Sequence, residues 1–175
     1  AVRARGVGCG RGRGSVLTRV RGTGPAAWRR SRAVRSVGVA GGWAPRLRPL
    51  TSHQPTAMVP VAGEPCMQHI IELLRRHGMT DIVVTVAYLP QVIRGYFDDG
   101  GSLGVELHYS VEERPLGTAG SAKNAEELLD DTFLVISGDA LCAFDLDALI
   151  SAPQSSGASA TPALKSFLKP TAFGV

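Results

Sequence analysis

The chain has 175 residues, enough for one domain with a substantial core, and a formal net charge of +4. The charge is unevenly placed. Residues 1–50 hold twelve arginines, no lysine and no acid, whereas residues 51–175 hold seven basic and fifteen acidic residues, a net charge of −8. An acidic body argues against general nucleic-acid binding, and no apolar run approaches the roughly 18 residues that cross a bilayer. Cys9, Cys66 and Cys142 show no CxxC or Cys/His spacing. That argues against structural zinc and fits free thiols in a reducing cytoplasm.

Residues 1–31 are rich in Gly and Arg and lack a sustained apolar period. Such a segment buries too little surface to offset its ordering entropy, so a disordered arm is expected ahead of a domain over 32–175. Three origins stay open for the arm: an RNA-binding tail, a transit peptide, or an upstream extension of a GC-rich reading frame.

In chain order, Ala33–Ala40 reads as a first strand, followed by a loop carrying Gly41, Gly42, Arg46 and Arg48. Glycines let backbone N–H groups face an anion, and guanidinium forks bind its oxygens. Pro65 is expected to open a helix, with Met67, Ile70, Ile71 and Leu74 forming one apolar stripe and Gly78 ending it. His69 and His77 read as surface residues of that helix. The run IVVTV (Ile82–Val86) predicts a buried strand. Pro90 then starts a short helix with Val92, Ile93, Tyr96 and Phe97 inward.

Val105, Leu107, Tyr109 and Val111 alternate with polar residues, which predicts a half-buried strand. A loop from Glu112 to Gly120 leads into a helix carrying Ala122, Ala125, Leu128 and Leu129. Phe133–Ile136 is a further apolar strand, ending at Ser137-Gly138-Asp139. Asp145 is expected to cap a helix holding Leu146, Leu149 and Ile150, and Pro162 to interrupt a last strand.

Alternating strands and helices predict an α/β Rossmann-like layered domain with a mostly parallel central sheet. Ligands of such sheets bind beyond the carboxyl ends of strands, near a switch in strand order. Three loops leave strand ends here: Gly41–Arg48, Glu112–Gly120 and Gly138–Asp139.

AGGWAPRLRPLT (40–51) resembles the nucleotide-binding signature of the sugar-phosphate nucleotidylyltransferases, a Gly-Gly-x-Gly-Thr-Arg-Leu-x-Pro-x-Thr string. MVPVAGEPCMQHIIELLRRHGMTDIVV, VEERPLGTAGSAKNAEELL, FLVISGDAL and LKPTAFGV are similar, in unbroken order, to later stretches of that family. YLPQVIRGYF and PLGTAG lean towards its mannose-1-phosphate guanylyltransferase branch. The resemblance implies the nucleotide-diphospho-sugar transferase fold and a Mg²⁺-dependent reaction of a nucleoside triphosphate with a sugar 1-phosphate, giving NDP-sugar and pyrophosphate. It implies roles by position. Arg46 would hold the leaving phosphates, and Ala40, Gly41 and Gly42 would bring backbone amides to the nucleotide, with Leu47 merely packing. Asp139 would ligate Mg²⁺. Pro115, Gly117 and Thr118 would line the base and ribose pocket, where a side chain at Gly117 would crowd the ring, and Glu112 would hydrogen-bond the base. A cytoplasmic enzyme is implied, and a homo-oligomer stays open.

The chain departs from the signature at Ala44 (the second signature glycine), Pro45 (threonine) and Thr56 (a phosphate lysine), and Glu64 replaces another lysine. Proline removes a backbone donor, and a hydroxyl cannot replace a charge. The family's catalytic domain also continues past its Phe-Gly-Val. Impaired turnover is therefore expected. A non-catalytic nucleotide- or sugar-phosphate-binding relative is the alternative.

Overall fold

The computed structural model describes residues 2–3, 16–19, 35–39, 47–129, 133–143, 145–150 and 160–164. Its strands are β1 (Val2–Arg3), β2 (Val16–Arg19), β3 (Arg35–Val39), β4 (Pro60–Val61), β5 (Glu64–Pro65), β6 (Asp81–Val86), β7 (Glu106–Val111), β8 (Phe133–Ser137) and β9 (Ala160–Leu164). The helices are α1 (Cys66–Arg76), α2 (Pro90–Phe97), α3 (Gly117–Asn124) and α4, which covers 146–150. One sheet runs β1-β9-β2-β8-β3-β6-β7, and β4 and β5 form a separate antiparallel pair.

β8, β3, β6 and β7 are mutually parallel, the arrangement expected for an α/β layered domain. From β3 the chain builds outward through β6 and β7, then returns to place β8 on the other side of β3. The strand order therefore reverses at β3. The crevice beyond its carboxyl end is where such sheets hold ligands.

α1 forms because its apolar residues recur at helical spacing. Met67, Ile70, Ile71, Leu73 and Leu74 are all buried against the sheet, each contributing about 1.5–3 kcal/mol of burial. The helix stops at Gly78, whose φ of +76° lets the Gly78 and Met79 N–H groups return to Arg75 and Leu74 carbonyls. Ile82, Val84 and Val86 of β6 join this main core with Ile93 and Phe97 of α2, while Val83 faces the opposite side, where Ala122 and Ala125 cover it.

Within the segment expected to be a disordered arm, Val2–Arg3 and Val16–Arg19 are strands. β2 pairs antiparallel with both β8 and β9, and the ladder needs only backbone groups, not a side-chain period. The rest of residues 1–31 lies outside the described residues. Pro65 ends β5 rather than opening α1, because its ψ of 141° is extended. β9 continues through Pro162, which pairs with Leu17. The expected single helix over 121–129 ends at Asn124. Glu126–Leu128 is a separate 3₁₀ turn, and Leu129 is already extended. Tyr96 is 50% exposed rather than inward, its hydroxyl bonding to Glu64 Oε2 at 3.0 Å. Asp145 caps α4 as expected, accepting the Ala148 N–H at 3.0 Å.

Candidate functional site

In register, Ser137 of β8 pairs with Val39 of β3, Val39 with Thr85 of β6, and Thr85 with Ser110 of β7. The loops after β3, β7 and β8 therefore leave the same edge of the sheet, each within about two residues of this row. Sequence spacing could not align them; parallel pairing does. The loop after β6 joins them, the Tyr88 hydroxyl donating to the Ser52 carbonyl at 3.5 Å, the long limit of a hydrogen bond.

Side chains alternate across a strand, so Thr85, Ser110 and Ser137 share the face of Val83 and Val135, beneath α3. Asn124, at the end of α3, donates from Nδ2 to Ser110 Oγ at 3.0 Å. Glu112 follows β7 on the same face and is buried. Its N–H donates to the Val86 carbonyl at 2.8 Å, and its Oε2 accepts the Leu116 N–H at 3.1 Å. Its other oxygen, Oε1, is buried with no hydrogen-bond partner among the described residues, as is Oγ1 of Thr85. A carboxylate oxygen left unpaired inside a protein is costly, and a ligand donor is one way to satisfy it.

Pro115, Gly117 and Thr118 are exposed beside Glu112. The loop there is shorter than expected because α3 begins at Gly117, with the Ser121 hydroxyl donating to the Gly117 carbonyl at 2.8 Å. A Cβ on Gly117 would meet no protein atom within 4 Å, but φ is +70°. Within the protein, the backbone conformation is what requires glycine at this position. Across the sheet, Asp139 is exposed after β8, its Oδ1 accepting the Ser137 hydroxyl at 2.5 Å. Three strand spacings separate β7 from β8, roughly 14 Å, a span on the scale of an extended nucleotide.

Ala40, Gly41, Gly42, Ala44, Pro45 and Arg46 lie outside the described residues, although β3 ends at Val39, directly before them. Leu47 is exposed rather than packed, because its turn lies on the surface. Thr56 is buried in a 3₁₀ turn, Thr56–Met58. Spacing alone missed Thr85. Its only signal was a single hydroxyl within the apolar run IVVTV. Ser110 and Ser137 had no signal beyond an ordinary strand.

For a metal, Asp139 offers hard carboxylate oxygen at an exposed strand end, which suits Mg²⁺ completed by phosphate oxygens and water. His77, Asp145 and Asp147 also form a group whose ligand atoms lie within 4.8 Å of one another. This group fits the chemistry poorly. His77 follows α1, where the chain returns to the amino ends of the strands, and Asp145 Oδ1 is committed to capping α4. Imidazole nitrogen is also a poor Mg²⁺ ligand.

The parallel strands, the reversal of strand order at β3 and the loops that leave one end of the sheet are those of a Rossmann-like α/β domain. The profile of the Nucleotidyl transferase family matches residues 36–175, and the chain belongs to that family. The chain is 38% identical over 142 residues to a mannose-1-phosphate guanylyltransferase of Mycobacterium tuberculosis, covering 81% of this chain and 40% of that protein. It is also 38% identical over 135 residues to a UTP–glucose-1-phosphate uridylyltransferase of Synechocystis sp., covering 70% and 35%. The chain thus spans less than half the length of these relatives. Among solved structures it is similar to HddC from Yersinia pseudotuberculosis complexed with GMP-PN, with a TM-score of 0.63 and 28% identity, covering 69% of this chain and 54% of that one. A glucose-1-phosphate thymidylyltransferase from Bacillus anthracis gives a TM-score of 0.64 and 25% identity, covering 70% and 51%. Among the described residues, no helix is long and apolar enough to cross a membrane.

Proposed function

We propose that the chain carries the nucleotide-binding part of a mannose-1-phosphate guanylyltransferase, joining GTP and mannose 1-phosphate to give GDP-mannose and pyrophosphate. The observation that carries the choice of base is the buried Oε1 of Glu112, which has no hydrogen-bond partner among the described residues. A carboxylate oxygen only accepts. Guanine presents two adjacent donors, N1–H and N2–H, whereas uracil and thymine present one N–H flanked by carbonyl oxygens that a carboxylate repels.

In this reading Glu112 holds the base, with Pro115, Gly117 and Thr118 around the base and ribose. Ala40, Gly41 and Gly42 approach the phosphates through their amides, and Arg46 binds the leaving phosphates. Asp139, oriented by Ser137, is the residue that would hold Mg²⁺. When bound, the metal neutralises charge on phosphoryl oxygens. The protein's own contribution is positioning: the sugar phosphate oxygen is placed in line with the α-phosphorus, and no covalent enzyme intermediate is required.

A second reading is a nucleotide-binding, non-catalytic relative. It is favoured by Thr56, a buried neutral residue where the resembling family has a phosphate lysine. Calorimetry with GTP, UTP, dTTP and ATP in Mg²⁺ is expected to give GTP at least tenfold tighter binding than UTP. UTP binding as tightly as GTP would overturn the guanine assignment. Turnover with mannose 1-phosphate is expected to be slow or absent, and ordinary turnover would refute impairment.

A further inference from the structure

At the carboxyl ends of β6 and β7, Oγ1 of Thr85 and Oε1 of Glu112 are buried without a hydrogen-bond partner among the described residues, whereas Asp81 Oδ1, at the far end of β6, lies 3.4 Å from His108 Nε2. Thr85 is fully buried, and valines stand at 83, 84 and 86 around it. Packing alone gives no reason for a hydroxyl there, since valine has the same shape without the desolvation cost. α3, which packs on this face through Ala122, is lightly fastened. Among the eight residues of α3 only Ser121 is fully buried. The helix start is tied by the Leu116 N–H to Glu112, and its end by Asn124 to Ser110. Both ties are polar contacts that water or a ligand can replace.

We propose that Thr85 is a further nucleotide-contacting residue. The leading turn of α3 shifts as the nucleotide enters, and the Thr85 hydroxyl then pairs with the base edge held by Glu112. The two groups differ in kind. The carboxylate accepts and the hydroxyl can donate, so together they complement the neighbouring N1–H and O6 of guanine. Thr85 lies one strand inward from Glu112 and two residues deeper in register, on the same face. A base entering past Glu112 therefore meets Thr85 next.

This proposal rests on the nucleotide site proposed above, and the test separates the two. GTP affinity in Mg²⁺ and the melting temperature of the nucleotide-free protein are measured for the wild type, Thr85→Val and Thr85→Ser. Thr85→Val is expected to bind GTP about tenfold more weakly, the loss of one hydrogen bond, with a melting temperature unchanged or raised. Thr85→Ser, which keeps the hydroxyl, is expected to bind within about twofold of the wild type. Equal GTP affinity in Thr85→Val overturns the assignment, as does an equal loss in both variants. A melting temperature several degrees lower in Thr85→Val also overturns it, because the hydroxyl would then have a partner in the nucleotide-free protein. A wild type that binds no nucleotide overturns the site as a whole, whatever the variants do.

Discussion

Leu116 donates its backbone N–H to Glu112 Oε2 at 3.1 Å, so the residue ahead of α3 is fastened to the residue that follows β7. One carboxylate thus ties the loop with one oxygen and leaves the other unpaired among the described residues. Glu112→Ala removes both. Hydrogen bonds to charged groups are worth about 1.5–3 kcal/mol, so GTP affinity should fall roughly 10- to 100-fold. Amide exchange at Leu116 and Gly117 should quicken, which hydrogen-exchange mass spectrometry can read. Unchanged GTP affinity would remove Glu112 from the site.

Ser137 orients Asp139 through a 2.5 Å hydrogen bond. Asp139→Asn keeps the shape and removes the charge. We expect it to abolish the Mg²⁺-dependent part of GTP binding while leaving metal-free binding within about twofold. Ser137→Ala should weaken the same metal dependence by only about three- to tenfold, because it loosens the carboxylate without removing it. Titrations with and without Mg²⁺ decide the matter. Equal metal dependence in Asp139→Asn would assign the ion elsewhere.

Asp98 carries φ +47° and ψ −126° in the turn where the Gly100 N–H returns to the Phe97 carbonyl at 2.8 Å. That first central position suits glycine, and an aspartate there is strained. Asp98→Gly should stabilise the protein by about 1 kcal/mol, because the Asp98 carbonyl that accepts the Tyr109 hydroxyl is retained. Gly100→Ala should do the reverse, by about 2 kcal/mol or more. At φ +82° its Cβ would fall 2.6 Å from Leu107 Cγ and 2.8 Å from Val105 Cγ2. Urea midpoints of the two variants should move in opposite directions.

Burial pushes the Tyr109 phenol up to about 12, Asp98 and Asp99 adding to the rise while Arg94, 5.0 Å over the ring, opposes it. The folded state therefore holds this proton more tightly than the unfolded chain, whose phenol titrates near 10. The resulting stability is complete below about pH 10 and is lost as pH rises through about 12. Tyr109→Phe should be less stable at neutral pH, since the bond to the Asp98 carbonyl is gone, yet should lose stability less steeply over pH 10–12. Parallel slopes for the two proteins would contradict this.

Much of the fold was written in local pattern. The α1 stripe from Met67 to Leu74, the Gly78 stop, the apolar runs at Ile82 and Phe133 and the Asp145 cap each follow from spacing within a dozen residues. So did the identity of the loops: glycines and arginines after β3, Glu112 with Gly117 after β7, Asp139 after β8. Where a prediction failed, a nonlocal or conformational term decided. Tyr96 turned outward because Glu64, thirty-two residues away in sequence, accepts its hydroxyl. Pro162 stayed in its strand because backbone pairing with β2 continues across it.

The sequence by itself therefore determined the order of the main elements, the family resemblance and the residue types offered by each strand-end loop, because those depend on residue type and near neighbours. Tertiary structure alone decided that Val39, Thr85, Ser110 and Ser137 lie in one row, since register is a property of pairing between strands far apart in the chain. It also decided that Glu112 is buried with one oxygen used and one unpaired among the described residues, and that Thr85 lies on the neighbouring strand two register positions away. Burial and hydrogen-bond satisfaction are set by whatever closes over a residue, and on this face Ala122 of α3 and Ala125 after it pack on Val83 and Val135, residues far from them in the chain or on another strand.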